Sequence, residues 1–252
     1  LSGDRTWALR DVERGEIQSC KFRPELLMCC ARRRENTADP HVDITFPCGT
    51  TIGSDDPVIH HRLSELVGYA STLEMLDSNQ SLSFFRRYKG AKEGWLEELR
   101  GTFAREGDEP YPDFSNMPSE VEEYATVPGS FFLVSPLHII STATLDYFKQ
   151  KLPEADWNIQ RFRPNLIVDT GAKVTGLLEQ NWIDMQISIA SSKIDCTAST
   201  PRCGAITRMQ QGLPFDKSML RAVIKEAEQN LGVYGSILEE GVISVGDSVD
   251  AN

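Results

Sequence analysis

The feature of this sequence that most constrains its fold is a succession of short strand-like segments with few helices among them. Apolar and β-branched residues recur in brief runs bounded by glycine, proline, asparagine or aspartate, a pattern typical of strands. Helical spacing is clearest in segments that begin near residues 54, 142 and 216. Because strands and helices do not alternate regularly, the pattern favours a β-rich α+β fold with barrel-like sheets over repeated βαβ units. The predicted strands are 7–9, 16–21, 26–31, 42–46, 137–140, 165–169, 185–189, 233–237 and 242–245.

Residues 77–127 separate two better organised halves of the chain. This stretch is charged and interrupted by glycine and proline, with a short helix predicted around Trp95–Leu99. So long an irregular connection is uncommon inside a compact domain. We therefore predict an N-terminal domain over residues 1–127, which includes the linker, and a C-terminal domain over residues 128–252. The sequence opens within a strand-entry motif, so we also expect residues to precede Leu1.

Composition argues against several classes of partner. The formal net charge is −11, so we expect no nucleic-acid binding over a broad surface, although converging arginines can still hold a small anion. No apolar run approaches the ~20 residues of a membrane span, so we expect no membrane association. The six cysteines contain no CxxC pair and are too sparse for a disulfide scaffold, which predicts a cytoplasmic protein.

Cys203, in the segment Thr200–Cys203, is the strongest candidate for a reactive residue. A thiolate is a soft metal ligand and a strong nucleophile, and the adjacent Arg202 favours the ionised sulfur. Ser199 and Gly204 add polar and small neighbours, whereas a core cysteine has apolar neighbours more often. A buried structural cysteine remains the alternative interpretation.

Arg161 and Arg163 are candidates for binding a phosphate. On extended backbone two residues with one residue between them face the same side, and two guanidinium groups can grip a phosphate together. Asn165 offers a further donor, while surface ion pairing is the alternative for both arginines. The phenol of Tyr234 can reach a ligand or pack in the core, and Arg5 alone indicates little.

The histidines are predicted to be structural rather than metal ligands. His60 and His61 are neighbours on a predicted helix, so their side chains diverge by roughly 100°. His138 lies in an apolar strand, which is typical of a hydrogen-bonded core histidine. The sequence contains no HExxH, Walker or GxGxxG motif.

Taken together, these segments resemble the MOSC-domain proteins, the family named after the C-terminal domain of molybdenum cofactor sulfurase. Residues 3–7 are similar to the entry of the N-terminal β-barrel domain that accompanies many MOSC domains. Bacterial two-domain members are the nearest resemblance, and the mitochondrial amidoxime-reducing component is a more distant one. The other matching segments are 135–141, 161–165, 181–182, 200–203, 232–234 and 241–247.

The resemblance implies a cytosolic protein that binds a pterin molybdenum cofactor, molybdopterin. It implies that Cys203 ligates molybdenum and acts in catalysis with Arg202 beside it. The residues that it implies in holding the pterin and its phosphate are Arg5, Arg163, Asn165 and Tyr234, with Ser135 at a neighbouring contact position.

The function that the resemblance favours is an oxidoreductase that reduces a small N-hydroxylated or N-oxide compound. We expect a separate protein to supply the electrons, because the chain carries no flavin, haem or iron–sulfur motif. The alternative is a molybdenum-free role of Cys203, as a persulfide carrier in sulfur transfer or as the nucleophile of a carbon–sulfur lyase. A carrier that passes the cofactor to another protein is the third possibility.

Overall fold

The computed structural model describes residues 3–34, 40–88, 101–106, 109 and 123–251. The chain forms two compact units, of which unit 1 comprises Leu1–Val134 with Arg208–Phe215 and unit 2 comprises Ser135–Thr207 with Asp216–Asn252. The predicted domain boundary between residues 127 and 128 remains a prediction. The helix predicted around Trp95–Leu99 lies outside the described residues.

Unit 1 contains two antiparallel three-stranded sheets, with strand orders β2-β1-β6 and β3-β4-β5. A ten-residue helix, α1 (Val58–Val67), buries Ile59 and Leu63 in the same core as residues of both sheets. Gly68 ends this helix at φ +83°, in the left-handed conformation that glycine adopts without strain. The strands are β1 (Trp7–Asp11), β2 (Glu16–Ile17), β3 (Cys30–Arg33), β4 (Val42–Thr45), β5 (Thr51–Gly53) and β6 (Ser71–Met75).

Two strand predictions in unit 1 are corrected. The segment predicted as a strand over 26–31 begins instead as a 3-10 helix, Pro24–Met28, and only Cys30 and Ala31 enter β3. Pro24 accounts for the difference, because its fixed φ suits the first position of a helix and it has no N–H to donate to a strand. The strand predicted over 16–21 ends at Ile17.

Unit 2 is built on one six-stranded sheet with strand order β12-β9-β10-β11-β7-β8. All neighbours are antiparallel except β7 and β8, which run parallel. Register shifts along the pair β10–β11 mark bulges, which bend a sheet, and the sheet curls into a half-barrel. The strands are β7 (Leu137–Ser141), β8 (Leu166–Val168), β9 (Gln186–Ile189), β10 (Ser192–Pro201), β11 (Asn230–Glu239) and β12 (Val249–Ala251), and the helices are α2 (Thr142–Lys151) and α3 (Ser218–Ala227).

The sheet of unit 2 separates two apolar cores. Successive side chains of a strand point to opposite faces, so Leu137 and Ile139 of β7 join one core while Ile140 joins the other. The first core also contains residues of β9, β10 and β11, and the second includes the buried faces of α2 and α3. This arrangement of short strands with few helices confirms the predicted β-rich α+β fold class.

The strand predicted over 242–245 is wrong. Val242 and Val245 are 80% and 110% exposed, and the segment pairs with no strand among the described residues. The pairing position beside β9 is taken by β12, whose Val249 lies opposite Ile189. The apolar residues of 242–245 therefore indicated a strand locally, but they do not determine which segment pairs with β9.

Candidate functional site

Cys203 lies at the corner that follows β10, two residues after that strand ends at Pro201. Its thiol is free and half-buried, and the chain continues directly into a 3-10 helix, Gly204–Thr207. The N–H of Ile206 donates to the Cys203 carbonyl at 3.4 Å, which closes the turn. The thiol is therefore not packed away like that of Cys196, which is fully buried and whose pKa burial raises to about 11.

The side chain of Arg202 is bonded to two groups on other elements of unit 2. Its Nη2 donates to the carbonyl oxygen of Phe162 at 2.9 Å, and its Nη1 lies 3.4 Å from His138 Nε2. The guanidinium also lies 5.7 Å from the centre of the Phe162 ring, within the range of a cation–π contact. Arg202 thus connects the corner that carries Cys203 to β7 and to the loop before β8, and its predicted effect on the thiol remains a prediction.

Gln229 holds the backbone of Arg202, and sequence reasoning missed it. The Arg202 N–H donates to the Gln229 carbonyl at 2.9 Å, and Gln229 Nε2 donates to the Arg202 carbonyl at 2.7 Å. The side chain is 1% exposed, and the residue adopts φ +75° just after α3. A single glutamine near a helix end carries no sequence signal for this role, because the bond joins segments distant along the chain.

His138 and Tyr234 face the same side of the sheet from paired positions on β7 and β11. Their ring centres are 6.3 Å apart, and His138 is 5% exposed while Tyr234 is half-buried. His138 Nε2 lies 3.2 Å from the carbonyl oxygen of Leu231, which confirms the predicted hydrogen-bonded core histidine. The predicted contact of Tyr234 with a ligand remains a prediction.

Asn165 is joined to β7 by two hydrogen bonds. Its Oδ1 accepts from the His138 N–H at 2.9 Å, and its own N–H donates to the His138 carbonyl at 2.8 Å. Because the amide oxygen serves this bond, the amide nitrogen is the part of the side chain that can donate to a ligand. These two bonds hold Asn165 beside His138, immediately before β8 begins at Leu166.

The predicted pairing of Arg161 with Arg163 is wrong. The segment is a 3-10 helix, Ile159–Arg161, rather than extended backbone, because Asn158 Oδ1 accepts from the N–H of Gln160 at 2.9 Å and favours a turn. Arg161 is 1% exposed and donates to the carbonyls of Asp156 and Ile206 at 3.2 and 3.4 Å.

Arg163 lies two residues beyond the end of that 3-10 helix. It adopts φ +54° and is exposed, so it alone of the two arginines presents its charge to solvent. Of the two guanidinium groups predicted to bind a phosphate, only that of Arg163 is exposed.

Ser135 and Arg5 complete the set of predicted residues. The hydroxyl of Ser135 donates to the carbonyl of Gly235 at 2.8 Å, which joins the start of β7 to β11. Arg5 belongs to unit 1, with φ +50° and its guanidinium 5.5 Å from the centre of the Phe132 ring. Contacts in unit 2 therefore link Arg202, His138, Tyr234 and Asn165, while the role of Arg5 remains a prediction.

A metal at this site would depend on few protein ligands. Over residues 3–34, 40–88, 101–106, 109 and 123–251, no group of three or more histidine, cysteine or acidic side chains is placed to hold a metal ion. Within the same residues, no helix is long and apolar enough to span a membrane.

Comparisons with known proteins agree with the sequence resemblance for the C-terminal half. Residues 127–250 match the family described as the MOSC domain. Among solved structures, the crystal structure of YiiM from Geobacillus stearothermophilus aligns at 12% identity and a TM-score of 0.35. That alignment covers 47% of this chain and 54% of YiiM, so the chain spans about half the length of that protein. No curated protein gives a match.

Proposed function

This chain is a MOSC-domain protein, and we propose that it binds a molybdenum cofactor through Cys203 and acts as an oxidoreductase. The proposed substrates are small N-hydroxylated or N-oxide compounds, and the proposed source of electrons is a separate redox protein. The observation that carries the proposal is the half-buried, free thiol of Cys203 at the corner after β10. A thiol in that position is accessible to a soft metal, unlike the buried thiol of Cys196 in the same sheet.

The residues around Cys203 fit a polar ligand of this kind. Thr200 Oγ1 and Gln229 Oε1 are buried, and neither makes a hydrogen bond within the described part of the chain. Leaving such a group without a partner costs about 1–3 kcal/mol, and hydrogen bonds to a pterin would offset that cost. Both residues flank the Pro201–Cys203 corner, Thr200 along β10 and Gln229 through its bonds to Arg202.

The chain's own residues would hold the cofactor in separate ways. Cys203 would bind the metal, the amide nitrogen of Asn165 and the phenol of Tyr234 would donate to the pterin, and the exposed Arg163 would attract the phosphate. When bound, the cofactor supplies two-electron oxygen-atom transfer, which is the chemistry that reduction of an N-oxide requires.

The test is cofactor content followed by turnover. The full chain, Cys203→Ala and Cys48→Ser would be produced in a host that makes the cofactor, then assayed for molybdenum and for pterin fluorescence. Cys48 is an exposed thiol in unit 1 and serves as the matched control. A reduced viologen dye replaces the unknown electron donor in the activity assay.

We expect the wild type and Cys48→Ser to retain molybdenum and to oxidise the dye when an N-hydroxylated amidine is added. Cys203→Ala should lose both properties, while its unfolding temperature stays equal to that of cofactor-free wild type. Wild-type protein without molybdenum and pterin, or Cys203→Ala with its full metal content, would refute the proposal.

Sulfur transfer is the second candidate function. Cys203 has a half-buried free thiol, and the described residues contain no group of three or more metal-ligating side chains. A thiol in this setting can also carry a persulfide. Incubation with a persulfide donor would then add one sulfur atom to Cys203, which peptide mass spectrometry detects. An unmodified Cys203 alongside bound molybdenum would favour the oxidoreductase instead.

A further inference from the structure

Arg202 is the point at which four segments of unit 2 meet. Its side chain bonds to the Phe162 carbonyl and to His138, and its backbone exchanges two hydrogen bonds with Gln229. Cys203 is the next residue along the chain. Because the thiol lies on a corner rather than within a strand, the contacts of Arg202 determine where the backbone of Cys203 lies.

The imidazole of His138 is placed to make one of these contacts. Its Nε2 lies 3.4 Å from Arg202 Nη1 and 3.2 Å from the carbonyl oxygen of Leu231. A guanidinium only donates hydrogen bonds, so the bond to Arg202 needs a neutral ring with its proton on Nδ1. The bond to Leu231 needs the proton on Nε2, so the ring makes one of the two bonds at a time.

Gly232 provides the space that the His138 ring occupies. Its φ is +90°, and a Cβ at this position would overlap His138 Nε2 and lie 2.8 Å from the Ile139 carbonyl oxygen. A side chain at position 232 would therefore displace the ring from Arg202. Both the missing side chain and the left-handed backbone are properties of glycine.

We propose that His138 is a positioning residue whose Nε2 holds the Arg202 guanidinium. Arg202 in turn holds the Cys203 corner and the loop that begins at Phe162 in one arrangement. The inference rests on the proposed role of Cys203 as the reactive residue. It gives the imidazole a function beyond filling the core, because a hydrocarbon of the same size would leave the guanidinium without this acceptor.

The test is the rate at which iodoacetamide alkylates Cys203 in the full chain at constant pH, measured by peptide mass spectrometry. His138→Leu removes the acceptor, whereas His138→Gln keeps an amide oxygen near the position of Nε2. We expect His138→Leu to raise the rate roughly tenfold, the effect of losing one hydrogen bond to a charged group. His138→Gln should stay within about threefold of the wild type, on the same basis of a retained hydrogen bond.

Alkylation of Cys196 in the same samples reports general opening of unit 2, because that thiol is fully buried. Ile140→Val is the matched control, since Ile140 lies on the same strand and is fully buried in an apolar core. Equal Cys203 rates in the three His138 forms would overturn the proposal. A parallel rise of Cys196 and Cys203, as general destabilisation produces, would overturn it too.

Arg202→Lys provides a second variant if His138→Leu does not fold. It keeps the charge but loses the planar fork of donors, so the Cys203 rate should again rise. His138→Ala, which also lacks an acceptor, should change that rate little further when it is added to Arg202→Lys, and additive effects would count against the coupling. The assay requires no cofactor, so protein without molybdenum would refute the proposed oxidoreductase and leave this inference standing.

Discussion

At the scale of single residues, Arg161 and Arg163 have the same side chain and opposite surroundings. Arg161 is buried and bonded to backbone carbonyls, whereas Arg163 is exposed at a left-handed backbone position. Substitution of Arg161 should therefore affect mainly stability, and substitution of Arg163 should affect mainly cofactor retention. Arg161 is held inside the fold, whereas Arg163 lies at the surface.

We expect Arg161→Ala to lower the free energy of unfolding by about 2–4 kcal/mol, because buried carbonyls lose a charged donor. Arg163→Ala should change it by less than about 0.5 kcal/mol, as exposed substitutions usually do, while lowering the fraction of protein that retains the cofactor. Urea unfolding and molybdenum analysis measure the two effects. Retention that is unchanged in Arg163→Ala would argue against its contact with the phosphate.

At the scale of elements, α3 shows how a local interaction defines a helix end. Asp216 lies one residue before the N-cap position, Lys217, whose side chain makes no cap bond, and the Asp216 carboxylate accepts from the N–H and the hydroxyl of Ser218 at 2.8 and 2.5 Å. Asp216→Ala should lower the free energy of unfolding by about 1 kcal/mol.

Asp146→Ala is the matched control for this prediction, because Asp146 makes an exposed ion pair with Lys149 on α2. Such pairs contribute roughly 0–1 kcal/mol, so a smaller loss is expected from its removal. Denaturant unfolding of both variants compares them directly. Equal losses would show that the Asp216 carboxylate does not act as a cap.

Elements that are defined by neighbouring residues, such as capped helices, were predictable from the sequence. Elements that depend on pairing with distant segments were not. The helix predicted over 142–151 is confirmed as α2, whose cap Ser141 accepts from the N–H of Thr144. The strand predicted over 242–245 is wrong, because pairing requires a free sheet edge that the local sequence does not describe. The buried turn at Arg161 was missed for a related reason, since its carbonyl partner in Ile206 is distant along the chain.

At the scale of the whole molecule, a buried carboxyl group should make stability depend on pH. Glu179 is fully buried, and its Oε2 accepts from the hydroxyls of Ser141 and Thr144, both at 2.5 Å. Burial raises the pKa of Glu179 above its ordinary value of 4.5, and the hydroxyl bonds only partly oppose that effect. The folded protein therefore binds this proton more tightly than the unfolded chain does.

The stabilisation from that proton is complete below about pH 4.5, the ordinary pKa of the group, and is lost as pH rises through the higher folded pKa. Glu179→Gln does not titrate, so its unfolding temperature should fall less between pH 4.5 and 7.5 than that of the wild type. Glu154→Gln, at an exposed position, is the control and should follow the wild type. If the unfolding temperatures of all three proteins changed with pH in the same way, the pH dependence could not be assigned to Glu179.

The sequence by itself determined the fold class, the ends of the best-capped helices and the segments that resemble a MOSC domain. These properties depend on local periodicity, capping and short motifs, all of which lie within neighbouring residues. Only the tertiary structure decided that Arg161 is buried while Arg163 is exposed, that Gln229 and His138 converge on Arg202, and that Gly232 leaves room for an imidazole. Those outcomes depend on contacts between segments far apart in the chain, which a local pattern does not encode.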